Sequence, residues 1–224
     1  MARHNSSIGG FDQLWKKHEM LYQSIFMNGL KLLKLNNSQR EHEDAVSEAL
    51  CPVLQRVCFA HPEKPSIPQW EMPIAPASDD ELKGGKRQKR PDFTCSKVNP
   101  FAQSDDMFEV SLHIECKRLG QNKGSYNLNK NYVEKGIKRF DSITHEYGKR
   151  APSGMMIGYI INSTTEDILL DVNRYLKGLE IQNLIFDFTD RVTSCDSIFC
   201  RKFVEPENFK LIHLWADVRN KEET

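Results

Sequence analysis

The sequence predicts an α/β fold built around a mixed central sheet. Three observations carry this. First, MFEVSLHIECKRL, 107–119, alternates apolar and polar residues with the period of a strand. Second, SGMMIGYIIN, 153–162, is a continuous apolar run of strand length, as expected of a strand buried on both faces. Third, these runs are interleaved with segments whose apolar residues recur at three and four, the period of a helix.

In chain order, residues 11–35 read as a helix, with Phe11, Leu14, Trp15, Leu21, Tyr22, Ile25 and Phe26 on one face. A second helix is predicted over 38–59, with Ser38 as its N-cap, acids in its first turns and Val46, Leu50, Val53, Leu54 and Val57 in its stripe. Pro52 falls inside this pattern and predicts a kink. A proline-punctuated connection follows, with room for a short edge strand around Trp70–Ile74. RPDFTC, 90–95, reads as a short strand. In the 107–119 strand, Phe108, Val110, Leu112, Ile114 and Cys116 share one face, and Glu109, Ser111, His113, Glu115 and Lys117 the other. Residues 130–147 read as a helix, and a further helix capped by Thr164 or Thr165 runs to about Leu179. NLIFDF, SIFCRKFV and FKLIHLWADV are the remaining strand candidates. Residues 1–37 form an N-terminal helical extension to a domain spanning 38–224, within one compact unit.

Composition removes several function classes. The net charge is zero, so the chain is no generic polycation, but charge is unevenly placed. Lys83, Lys86, Arg87, Lys89 and Arg90 stand together with no acid among them. No run is long and apolar enough to predict a transmembrane helix, and the first twenty residues lack the apolar core of an export signal. A cytoplasmic location is therefore expected, with Cys51, Cys58, Cys95, Cys116, Cys195 and Cys200 reduced and mostly buried. No CxxC pair occurs, and Cys195 and Cys200 make a poor zinc site.

The chemistry-bearing residues lie at the end of the alternating strand. Period two puts Glu115 and Lys117 side by side, with Cys116 turned into the core. Alone, they read as a surface ion pair of little energetic weight. Asp92, on the preceding strand, changes that reading if the two strands pair. Two carboxylates form a hard, oxygen-rich site suited to Mg²⁺ or Mn²⁺, and a lysine beside them can orient or deprotonate a water and stabilise a pentavalent phosphorane. His113 lies on the same face and reads as structural or solvated, with a contact to metal or DNA as the alternative.

Pro91-Asp92, 22 intervening residues and then Glu115-Cys116-Lys117 resemble the PD-(D/E)XK nuclease superfamily. The apolar residues leading into the E-x-K triplet, and the helix and buried strand after it, are similar to that family's core. The resemblance covers roughly 38–162. It implies a restriction-endonuclease-like α/β/α sandwich with a mixed central sheet and N-terminal helices. It implies Mg²⁺-dependent hydrolysis of phosphodiester bonds, with Asp92 and Glu115 as metal ligands and Lys117 acting on the water. An upstream helical acid often joins the metal shell in this family; Glu43 is the expected one, with Glu48 as the alternative. DNA is the implied substrate and RNA the alternative, in a prokaryotic restriction or antiphage setting, as a homodimer or as a subunit of a larger defence complex. A catalytically inactive nucleic-acid-binding relative stays open. Lys86, Arg87, Lys89 and Arg90, which lead into Asp92, and Lys138 and Arg139, on the helix after the triplet, are the candidate phosphate contacts.

Overall fold

The computed structural model describes residues 6–74, 89–122 and 124–219. Its centre is a six-stranded sheet of mixed direction in the order β1-β2-β3-β4-β6-β5. β1 (Gln69–Trp70) pairs antiparallel with β2 (Phe93–Val98), and β2 antiparallel with β3 (Glu109–Leu119). β3, β4 (Ser153–Ile160) and β6 (Asn208–Asp217) run parallel, and β5 (Val192–Cys200) closes the far edge antiparallel to β6. Parallel neighbours require crossovers, and the helical segments between them supply these. All eight residues of β4 are buried, as the apolar run predicts.

Helices cover both faces. α1 (Ser6–Leu32) and α3 (Glu43–Ala60) pack on the face that carries Phe93, Ile114, Cys116, Ile157 and Leu214. Trp15 Nε1 of α1 donates to Ser153 Oγ at 2.8 Å, and the rings of Phe26 and Phe93 meet edge-on with centroids 5.3 Å apart. The segment read as an N-terminal extension is thus built into the main core. The opposite face carries Met156, Phe209, Leu211 and Trp215. It is covered by α4 (Leu128–Asn131), the turns that continue it, and α5 (Thr165–Lys177).

Four local expectations change. The helix predicted over 38–59 is two helices. Asn36, not Ser38, caps the short α2 (Asn37–Arg40) through a capping box with Gln39, and the chain then restarts at Glu43. Pro52 sits within a continuous α3 and is exposed, so the backbone bond it forfeits lies where water can replace it. The helix predicted over 130–147 keeps a regular α form only to Asn131. It widens to a π turn at Tyr132–Gly136, tightens to 3₁₀ at Ile137–Asp141, and ends. NLIFDF joins no strand; Phe186 and Phe188 stack instead on Trp215. All six cysteines are free thiols; Cys58, Cys95 and Cys116 are buried, and Cys200 is exposed.

Candidate active site

The site forms where β2 and β3 end. Phe93 pairs with Ile114, so Asp92, one residue before, stands opposite Glu115. Asp92 Oδ2 accepts the Cys116 backbone N–H at 2.5 Å, which ties the two strand ends together. The face of β3 that the alternation marks as polar is wet only at its start, at Glu109 and Ser111. His113, Glu115 and Lys117 are all buried, because the 128–148 segment folds over them.

Glu115 is fully buried. Its Oε1 accepts from Lys117 Nζ at 2.5 Å and also from Arg139 Nη1. Its Oε2 is buried with no hydrogen-bond partner. Lys117 Nζ donates as well to Glu43 Oε1 at 2.8 Å and to the Cys116 carbonyl at 2.7 Å. Glu43, the first residue of α3, uses its second oxygen to accept the Arg118 N–H at 3.0 Å. Glu48, one turn on, is exposed. Of the two upstream acids, Glu43 is therefore the one that reaches the site. Both of its oxygens are engaged with Lys117 and Arg118, so it positions the lysine and is not turned toward Asp92.

The electrostatics follow from burial. Asp92 is pushed well above the usual carboxylate range, first by burial and then by the adjacent Glu115 charge. Glu115 is also raised by burial, which outweighs the opposing pull of Lys117 and Arg139. Burial works to lower Lys117, yet Glu115, Glu43 and Asp92 together outweigh it and raise the group. Lys117 is accordingly a fixed ammonium in this arrangement. Its three N–H groups are all engaged, and its charge offsets that of the carboxylates around it.

Asp92 and Glu115, the latter with a buried oxygen that has no hydrogen-bond partner, are the carboxylates available to a cation. Among the described residues, no three His, Cys, Asp or Glu side chains gather into a metal-holding group. The donor set is the Asp92–Glu115 pair. Mg²⁺ needs no more, since waters and substrate phosphate oxygens complete its shell. The residues present thus fit such an ion.

The expected phosphate contacts divide. Lys86 and Arg87 lie outside the described residues. Lys89 is partly buried and Arg90 exposed. The charges of Arg139 and Lys89 add to burial in pushing His145 down to about 4. Lys138 is exposed and lines a groove of about 1010 Å³ with Lys135, Ile143 and Lys202. That groove includes Arg139 but not Asp92, Glu115 or Lys117. Arg139 itself turns inward to Glu115. His113 accepts the Gly148 N–H at 2.9 Å, and burial lowers it to about 4, so it is a neutral structural group. Sequence reasoning missed Tyr147, whose ring lies 6.0 Å from the Arg139 guanidinium. It also missed the buried Arg201, which donates to the carbonyls of Tyr147 and Gly148 and fixes that turn. Neither residue stands in a spacing that marks it.

Compared with known proteins, the chain matches no family model, no curated protein and no solved structure.

Proposed function

We propose that this protein is a divalent-metal-dependent endonuclease that hydrolyses phosphodiester bonds in DNA. The observation that carries the reading is Glu115 Oε2, a fully buried carboxylate oxygen without a partner, beside Asp92 and within the reach of a buried lysine. A salt-bridge cluster built for stability satisfies its oxygens. One that leaves an oxygen open and holds two carboxylates against their tendency to protonate is arranged for a cation. The resemblance of Pro91-Asp92 and Glu115-Cys116-Lys117 to the PD-(D/E)XK nucleases supports the same chemistry and the restriction-endonuclease-like form of the mixed sheet.

Asp92 and Glu115 would hold Mg²⁺ or Mn²⁺. When bound, the ion polarises the phosphoryl oxygens and eases water ionisation and leaving-group departure. Lys117, held by Glu115, Glu43 and the Cys116 carbonyl, would offset charge that builds on phosphorus, and by releasing one of these three bonds it would orient the attacking water. Glu43 keeps the ammonium in place. Lys89 and Arg90, where the basic stretch reaches the site, would receive the backbone phosphates.

The test is cleavage of plasmid DNA, linear DNA and RNA by the wild type, Asp92→Ala and Lys117→Ala, with Mg²⁺ or Mn²⁺ and with chelator. The wild type should cut DNA only with metal. Lys117→Ala should lose about two to three orders of magnitude, the usual effect of removing one oxyanion-stabilising group, and Asp92→Ala, which removes a metal ligand, should cut no DNA. Equal cutting by all three proteins would remove the site. Cutting confined to RNA would change the substrate and keep the site.

A further inference from the structure

Glu115 Oε1 carries two cations, and they are not equivalent. The Lys117 side chain is 8% exposed, and its ammonium keeps Glu43 and the Cys116 carbonyl as partners when Glu115 is taken away. The Arg139 side chain is 31% exposed. It reaches in from the mouth on the 3₁₀ turn Ile137–Asp141, and Glu115 is the only carboxylate it bonds among the described residues. A divalent ion on Glu115 Oε2 and Asp92 would bring two positive charges to the carboxylate whose other oxygen the Arg139 guanidinium now neutralises. Of the two cations, Arg139 has the weaker hold and the open path. Its charge and that of Lys89 both act on His145, and its guanidinium lies 6.0 Å from the Tyr147 ring. Its planar fork of donors suits a phosphate as well as a carboxylate.

We propose that Arg139 is an exchangeable counter-ion: it neutralises Glu115 in the empty site, gives way to the metal, and binds the phosphate of the incoming nucleic acid. This rests on the metal-dependent reading above and adds a regulation to it. Metal frees Arg139 for phosphate, and phosphate draws Arg139 off the metal's ligand. The two ligands therefore bind cooperatively, and by linkage each raises the other's affinity by the same factor. A nuclease so built holds metal weakly until its substrate is present.

The experiment is calorimetric titration of Mn²⁺ alone into the metal-free wild type, Arg139→Ala and Arg139→Gln. It is followed by binding of a slowly hydrolysed phosphorothioate duplex with and without Mn²⁺. Both variants should bind Mn²⁺ about ten-fold tighter than the wild type, within the usual range of such couplings. Both should bind the duplex more weakly, and their metal–duplex coupling should fall toward one. Thermal melting checks that each variant is folded, and Gln, which keeps the stem and a donor, serves if Ala does not fold. Unchanged or weaker Mn²⁺ binding in a folded variant, with coupling intact, overturns the proposal. If the wild type binds Mn²⁺ and cleaves DNA while the variants match it, the exchange falls alone. If the wild type binds no Mn²⁺, the metal-dependent reading falls with it.

Discussion

Glu115→Gln keeps the volume of the side chain and removes its charge. The substitution leaves two cations, Lys117 and Arg139, around a neutral amide. Arg139, nearly a third exposed, can turn to water at little cost. Lys117 cannot, since its side chain is 8% exposed, but it retains Glu43 at 2.8 Å and the Cys116 carbonyl at 2.7 Å. Removing one partner of a buried pair costs about 3–5 kcal/mol when the other is stranded. The surviving partners, and relief from burying a carboxylate that resists ionisation, reduce this to roughly 2 kcal/mol. For a chain of this size that lowers Tm by about 4–8 °C. The assay is urea unfolding at neutral pH with chelator, followed by the fluorescence of the buried Trp15 and Trp215. Repeated with Mg²⁺, it should show the wild type gaining stability and the variant gaining none, because a ligand that binds only the folded chain stabilises it by mass action. A variant as stable as the wild type in chelator, and equally stabilised by Mg²⁺, would refute the reasoning.

Asp92→Asn should act with the opposite sign. A carboxyl raised in the folded chain binds protons there more tightly than in the unfolded one, so the stability it contributes falls as pH rises through its unfolded value. The amide removes that penalty and can still accept the Cys116 N–H. Melting in chelator at neutral pH should show a gain on the order of 1 kcal/mol, with cleavage abolished. Acid should weaken the fold through its buried histidines. Burial lowers His113 to about 4 and His213 to about 3, so both stay neutral in the folded chain while the unfolded chain protonates near 6.5. Their stabilisation is full above that value and is lost as pH falls, by roughly 2 kcal/mol each at about pH 5. The slope of stability against pH should accordingly be shallower in His213→Gln than in the wild type. Gly136→Ala would place a methyl 2.5 Å from Met156 Cε and 3.3 Å from Lys117 Cγ. It should cost about 1–3 kcal/mol in thermal melting and, by shifting Lys117, reduce cleavage more than the lost stability explains.

What could be read in advance follows the strength of the local signal. The alternation of 107–119 fixes which residues of β3 share a face, and β3 runs over Glu109–Leu119 with Glu115 and Lys117 together. The pairing of Asp92 with Glu115 was also accessible, because strands consecutive in sequence tend to be neighbours in a sheet. The helix after the triplet was harder. Val133, Ile137 and Phe140 have helical spacing, and all are buried. The backbone between them nevertheless widens at Tyr132–Gly136, where Gly136 packs its bare Cα against Met156 and the Lys117 stem. Periodicity reports burial and not the hydrogen-bond ladder. NLIFDF misled for the same reason: its aromatic residues are apolar because they cover Trp215, not because they pair in the sheet. The inward turn of Arg139 had no local signal. A basic residue on a covering helix reads as solvent-facing until the fold sets it 24 residues away in sequence against a buried glutamate.

Every chemical role assigned here depends on a divalent ion taking the open oxygen of Glu115. The most direct measurement is anomalous diffraction from crystals of the full chain soaked with Mn²⁺. A peak within coordination distance of Glu115 Oε2 and the Asp92 carboxylate, absent in Asp92→Asn, is the result expected. A site that stays empty while Lys117 and Arg139 keep Glu115 would contradict the account and leave the cluster a buried salt bridge.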